Sequence, residues 1–224
     1  LERKGHTFNP NSDTEVLIHA WYEWGEQCLD SIDGMYAFSI YDGKRLWLIT
    51  DPFCEKPLYI YQKDDFLIYS SEANILIKEL NLKISLSDKD LFEFISLGFL
   101  KSHNTGYSNL INMPKATIYK FESPSLKTKK VYWSLPDRIT ETGKIENFTR
   151  SEINIIKENL INSIKIRLRS DVSMGLFLSS GLDSNLIAAI AVKELKSNLL
   201  TLTMKYPDGK DESNFAGEVA KYLG

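Results

Sequence analysis

Residues 174–184 read Met-Gly-Leu-Phe-Leu-Ser-Ser-Gly-Leu-Asp-Ser, and a second apolar stretch, 186–192, follows almost at once. Few folds accept that order. A short apolar run, a cluster of small residues and a longer apolar run describe a buried strand over 174–178, a tight turn and a helix. Small residues at such a turn let a ligand approach the backbone. The start of the helix then presents unpaired N–H groups and a partial positive charge, which together favour phosphate. Two other loops with small residues fit poorly. A Walker-type loop ends in Gly-Lys-Ser/Thr, whereas Leu182 follows Gly181 here. A hydrolase elbow needs Gly where Phe177 stands and a histidine later in the chain, whereas His6, His19 and His103 all precede Ser179. The plainer alternative is a serine-rich turn capping a core helix, with Asp183 complementing the helix dipole.

The strand–turn–helix sits in the second of two regions that differ in character. Upstream, hairpin signals dominate. Ser12 and Glu15 suit a capping box for a helix over 12–24 that Gly25 stops. Asp42-Gly43 separates two predicted strands, 35–41 and 44–50. A second hairpin is predicted from 58–61 and 66–69, and a short helix from 71–80. Ser87 and Asp90 open a helix over 91–99. A third pair of strands is expected at 117–122 and 130–133, with Lys127, Lys129 and Lys130 at its turn as a solvated cluster. Residues 135–148, with Pro136, Gly143 and mixed charges, lack periodicity and mark a linker. Thr149 and Glu152 then form another capping box before Ile153, Ile156, Leu160, Ile164 and Leu168 at helical spacing. Strand (174–178), helix (184–197), strand (199–204) and helix (211–223) follow, an alternation that predicts a parallel sheet.

Composition narrows the functional classes. Among 224 residues, 43% are hydrophobic and 25% charged, as in ordinary globular chains, and the net charge of −3 argues against nucleic acid as a partner. Two cysteines, Cys28 and Cys54, make no disulfide framework or metal motif and suit the reducing cytoplasm. No apolar run approaches the ~20 residues of a membrane span. The chain starts at Leu1, not Met, and stops at Gly224 just after a helical pattern, so we read it as a fragment cut at both ends.

Residues 179–184 resemble the pyrophosphate loop, Ser-Gly-Gly-x-Asp-Ser, of ATP pyrophosphatases that adenylate a substrate. With Ser170-Asp171-Val172 and Gly175 before it, the segment is similar to glutamine-hydrolysing asparagine synthetases. The first region resembles the glutaminase domain of the same family. Residues 13–17 look like its Asp-Thr-Glu-Val-Leu, and 34–38 like its Gly-Met-Phe-Ala-Phe. Residues 51–59 resemble Arg-Asp-x-Phe-Gly-x-Lys-Pro-Leu-Tyr. Ser71-Glu72 and Tyr132-Trp133 match further family pairs. Order and spacing hold over nearly the whole chain.

The resemblance implies an α+β first part, 1–135, built of the antiparallel sheets of an N-terminal-nucleophile glutaminase sandwich. It also implies a linker, 136–148, and the start of an α/β parallel-sheet ATP-pyrophosphatase domain, 149–224. The implied activity is that of a carbon–nitrogen ligase of asparagine biosynthesis. The aspartate side chain is adenylated by ATP with Mg2+, and ammonia from glutamine completes the amide. Asp13 would bind the glutamine amine, although a position beside Ser12 also suits a helix start. Ser179, Ser180, Gly181, Leu182, Asp183 and Ser184 would hold ATP, with Asp183 on the metal. Phe177 and Met204 would meet the adenosine or simply pack in the core. Glutamine, aspartate and ATP are the implied partners, without membrane or nucleic acid, and a homodimer is compatible with them.

Family glutaminases use an N-terminal cysteine, and Leu1 occupies that position. Cys28 reads as a core thiol and Cys54 stands where the family has glycine, so no catalytic nucleophile is assigned. Ser180 for Gly, Thr50 for Arg, Cys54-Glu55 for Gly-x and residues 113–116 for Leu-Pro-Pro-Gly mark a divergent member. Alternatives are adenylation of another carboxylate, a lactam-forming cyclase, or a non-catalytic relative that keeps the fold.

Overall fold

A computed structural model describes residues 1–9, 12–100, 103–122, 125–135, 148–205 and 211–224. The expected linker, with Pro136 and Gly143, lies outside the described residues except for its two ends. The chain divides into two units, Leu1–Arg138 and Ile139–Gly224.

The first unit is built around one doubly covered strand. Helix α1 (Asp13–Trp24) is capped by the Ser12 hydroxyl, which accepts the Glu15 N–H, and ends at Gly25 with a φ of 56°. The expected capping box is only half made, because the Glu15 carboxylate accepts the Asn9 N–H instead. Strands β1 (Ala37–Tyr41) and β2 (Arg45–Thr50) form the first hairpin, with Asp42 accepting both the Lys44 and Arg45 N–H groups at the tip. The second hairpin is β3 (Tyr59–Lys63) and β4 (Phe66–Ser70), followed by α2 (Ala73–Glu79) and α3 (Asp88–Leu97). Ser87 and Asp90 complete the capping box of α3.

Strand β5 (Leu110–Asn112), too short to have been expected, pairs with β3. Strands β6 (Thr117–Glu122) and β7 (Ser125–Val131) follow. Lys127, Lys129 and Lys130 therefore lie within an exposed strand, not at a turn. The strand begins earlier than expected because every one of its residues is exposed, so no buried face marks it in the sequence.

The sheets run antiparallel in the orders β1-β2-β6-β7 and β4-β3-β5. Side chains alternate across a strand, so Trp47 and Ile49 join Ala20, Cys28, Leu29 and Ile118, while Leu48 joins Leu58, Ile60, Met113, Tyr119 and Phe121. Leu48 and Ile49 are both 0% exposed. Burial on both faces explains why β2 reads as a continuous apolar run.

In the second unit α4 (Arg150–Arg167) starts with the complete Thr149–Glu152 capping box. Strands β8 (Gly175–Phe177) and β9 (Leu200–Leu202) pair in parallel, as the alternation predicted. Between them α5 (Leu182–Ala189) continues as a π-helical turn, Ile190–Glu194. Helix α6 (Ser213–Leu223) closes the described chain. Leu178, Ala188 and Ala216 are buried together, with Leu176, Val219, Ala220 and Leu223 packed on them. The expected strand over 174–178 is not buried throughout, because Phe177 is 72% exposed and the inward positions are Leu176 and Leu178.

Candidate functional site

The turn expected between strand and helix begins where β8 ends. Leu178 continues the parallel pairing, its N–H donating to the Leu202 carbonyl at 2.9 Å, while the Thr203 hydroxyl donates to the Leu178 carbonyl at 2.8 Å. The backbone then leaves the sheet at Ser179 and enters α5 at Leu182, with Gly181 as N-cap residue.

Glycine at the N-cap supplies no side-chain acceptor, so no side chain caps α5. The first turn of the helix thus keeps N–H groups that no side chain caps. The serines instead organise the turn itself. The Ser179 and Ser184 hydroxyls are 2.9 Å apart, and Ser179 N–H donates to Ser184 Oγ at 3.3 Å. Gly181 N–H donates to Ser179 Oγ at 3.2 Å. The Ser184 hydroxyl is placed 3.1 Å from the Gly181 carbonyl, and Asn185 Nδ2 donates to that carbonyl at 2.7 Å. A Cβ at position 181 would sit 3.2 Å from Ser179 Oγ, so glycine there preserves the close serine packing.

Sequence reasoning thus placed Ser179, Gly181 and Ser184 in one turn, and they interact there. Ser180, Leu182 and Asp183 are exposed around it. Ser180, which stands where the family has glycine, does not adopt a positive φ, so the serine fits without backbone strain. Asp183 occupies the first turn of α5. Phe177 is 72% and Met204 60% exposed, at and just beyond the carboxyl ends of β8 and β9.

Sequence reasoning missed Glu212 and Asn185. Ser180 N–H donates to Glu212 Oε2 at 3.2 Å across 32 residues of sequence. No local pattern signals that contact. Asn185 was legible in hindsight, because it follows Gly181 at the i,i+4 spacing of facing helical groups.

In the first unit Asp13 is the first residue of α1 and is exposed. Its Oδ1 accepts the Thr14 N–H at 2.7 Å, while Ser12 performs the capping. The helix start therefore needs only Ser12. Cys28 is 1% exposed and Cys54 half-buried, and burial raises both thiols above their ordinary value, the nearby carboxylates of Asp30 and Asp51 adding to the shift. Raised thiols are poor nucleophiles. Cys54 has a φ of 55°, as does not suit a side chain, in keeping with the family glycine at that position.

Among the described residues no cluster of three or more metal-ligating side chains occurs, and no helix is long and apolar enough to cross a membrane.

Residues 1–133 match the glutamine amidotransferase domain family, and residues 156–224 match the asparagine synthase family. Glutamine-hydrolysing asparagine synthetase 3 of Bacillus subtilis is 29% identical over 93% of this chain and 34% of its own length. The putative glutamine-hydrolysing asparagine synthetase 2 of Methanocaldococcus jannaschii is 30% identical over 95% of this chain and 41% of its own. Asparagine synthetase 2 of B. subtilis reaches 32% over 97% of this chain and 29% of its own length. The chain thus spans about 29–41% of the length of these curated relatives.

Proposed function

Since the chain belongs to the family that joins a glutamine amidotransferase domain to an asparagine synthase domain, we propose that it is part of an enzyme that makes asparagine from aspartate, ATP and glutamine. The observation that carries this reading is the serine-organised turn at the end of β8, leading into a helix without a side-chain cap, within the segment matched by asparagine synthase.

The first unit would contribute to glutamine hydrolysis, giving glutamate and ammonia. Asp13, exposed at the start of α1, is the residue we assign to the glutamine ammonium, by charge-assisted hydrogen bonding. Neither Cys28 nor Cys54 is assigned as nucleophile, because both thiols are raised.

In the second unit the aspartate β-carboxylate would attack the α-phosphorus of ATP, the bond to pyrophosphate breaking as the acyl-adenylate forms. Ammonia would then displace AMP from the acyl carbon. Negative charge grows on the departing pyrophosphate, and fixed donors there lower the barrier. We assign that role to the N–H groups of residues 180–184 and the hydroxyls of Ser179 and Ser184, several of which bond within the turn or to Glu212 and would exchange those partners for phosphate. Phe177 and Met204 offer exposed apolar surface for adenine. Asp183 would hold Mg2+ on the phosphates; a single carboxylate suits this ion, which takes most of its ligands from phosphate and water. Bound there, the ion would neutralise charge on the leaving group. We place the enzyme in the cytoplasm, since both cysteines of this part of it are free thiols. The domain limits of 1–135 and 149–224, with a linker between, are part of the same proposal.

Exchange of labelled pyrophosphate into ATP tests the reading in the longer protein. Asp183→Asn should lower aspartate-dependent exchange by about a hundredfold or more, the loss of a metal ligand removing several kcal/mol at about 1.4 kcal/mol per tenfold. Glutaminase turnover without ATP should change little. Unchanged exchange in a folded Asp183→Asn protein would reduce Asp183 to a helix-dipole residue.

A further inference from the structure

The turn at 179–184 already holds an anion, and it comes from the chain itself. Glu212, half-buried just before α6, accepts the Ser180 N–H at 3.2 Å. That N–H is among the donors assigned above to phosphate. Neighbouring groups fix the approach of this carboxylate. Asp211 binds Lys205 at 2.8 Å, and its other oxygen accepts the Ser213 N–H at 3.0 Å. Ala216, one turn into α6, is buried against Leu178 and Ala188, which tie α6 to the strand and helix that flank the turn. Glu212 is therefore carried on packed structure, not on an unanchored side chain that happens to reach the loop.

We propose that Glu212 is an internal occupant of the phosphate site, holding the Ser180 N–H while the site is free and yielding it when a polyphosphate binds. The proposal rests on the phosphate-loop reading and adds its regulation. A carboxylate and a phosphate oxygen brought to one N–H repel strongly at that distance. Binding therefore requires Glu212 to turn away, and the affinity is reduced by the fraction of time that it occupies the loop. The repulsion is strongest for a bare polyphosphate. With Asp183 on the first turn of α5 and Glu212 beside Ser180, two carboxylates border the turn, so a divalent cation on the incoming phosphates relieves much of the penalty. Glu212 thus makes the site discriminate against polyphosphate that arrives without its cation.

Inorganic pyrophosphate is the probe, titrated calorimetrically into the longer protein with and without Mg2+. Glu212→Ala should tighten metal-free pyrophosphate by about three- to tenfold. It should tighten the Mg2+ form less, so that the gain from Mg2+ shrinks. Glu212→Gln keeps the shape and loses the charge; it should move both affinities the same way by a smaller factor, and it serves if the alanine variant folds poorly. Equal affinities in the parent chain and a folded variant, or weaker binding in the variant, would overturn the role of Glu212 and leave the phosphate loop standing. Failure of the parent and both variants to bind pyrophosphate in either form would overturn the phosphate-loop reading and this proposal with it.

Discussion

The two units organise polar groups in opposite ways. In the first, Asp51 is 1% exposed, and its carboxylate accepts four backbone N–H groups, from Tyr36, Phe53, Glu55 and Lys56, at 2.9–3.2 Å. Every donor around it is committed to holding the 51–56 loop in shape. In the second, the serines close a turn whose helix keeps an uncapped N-terminus and whose Ser180 N–H is met by a half-buried carboxylate. Buried, saturated hydrogen bonds stabilise a fold, because leaving any one unmade costs a full desolvation penalty. Exposed donors on a packed frame cost little to leave to water, and they are what a ligand can use. The contrast sets a structural loop against the turn that we propose binds phosphate.

Removing the scaffold group should have the largest effect. Asp51→Ala removes a buried carboxylate together with its four bonds from backbone N–H groups, and we expect a loss of about 3–5 kcal/mol from the first unit, judged from the worth of hydrogen bonds to a charged acceptor. Urea denaturation followed by tryptophan emission would read it, since Trp47 lies in the core beside the same strand. A loss below 1 kcal/mol would show that the loop holds without its carboxylate. Leu178→Ala comes next. Leu178 is 2% exposed and joins β8 to α5 and α6, so truncation should cost about 2–4 kcal/mol and weaken pyrophosphate binding along with stability. If only stability falls, the binding turn does not depend on the frame beneath it.

Smaller gains are expected where the first unit bears strain. Cys54 and Ala116 have φ of 55° and 50°, and both stand where the resembling family has glycine. Each change to glycine should relieve backbone strain and add about 0.5–1 kcal/mol, less the entropy glycine returns to the unfolded chain. Parallel thermal melts would decide the sign.

The smallest effect compares one aspartate from each unit. Asp42 is held at about 2 by the Arg45 and Lys44 backbone N–H groups and the Arg45 side chain. Asp211 is likewise held at about 2, by Lys205 and then by Ser213. Both values lie below the ordinary 3.8, so each contribution is complete above that pH and is lost as pH falls through about 2. Carboxyl NMR titration of the two residues should give midpoints near 2; a midpoint near 4 for either would mean that its partners are not engaged in solution.

Much of this was legible in the sequence where local chemistry decides. Ser12, Ser87 and Thr149 announced their helices, Gly25 its stop, and residues 174–184 their strand–turn–helix, because capping and small-residue turns act over a few residues. Strand β5 escaped notice because three residues show no period, and the start of β7 because every residue of that strand is exposed. Phe177 was expected to lie in a buried strand, and its exposure follows from the parity of Leu176 and Leu178. The Ser180–Glu212 contact was out of reach altogether, since it depends on how α6 packs beside α5.

The central claim is that residues 179–184 form a pyrophosphate-binding loop. Amide NMR of the longer protein during titration with Mg2+-pyrophosphate tests it most directly. We predict saturable shifts concentrated at Ser180, Leu182, Asp183 and Ser184, with Asp51 and its four donors unmoved. Saturable shifts elsewhere with this turn silent, or no shifts at millimolar pyrophosphate, would contradict it.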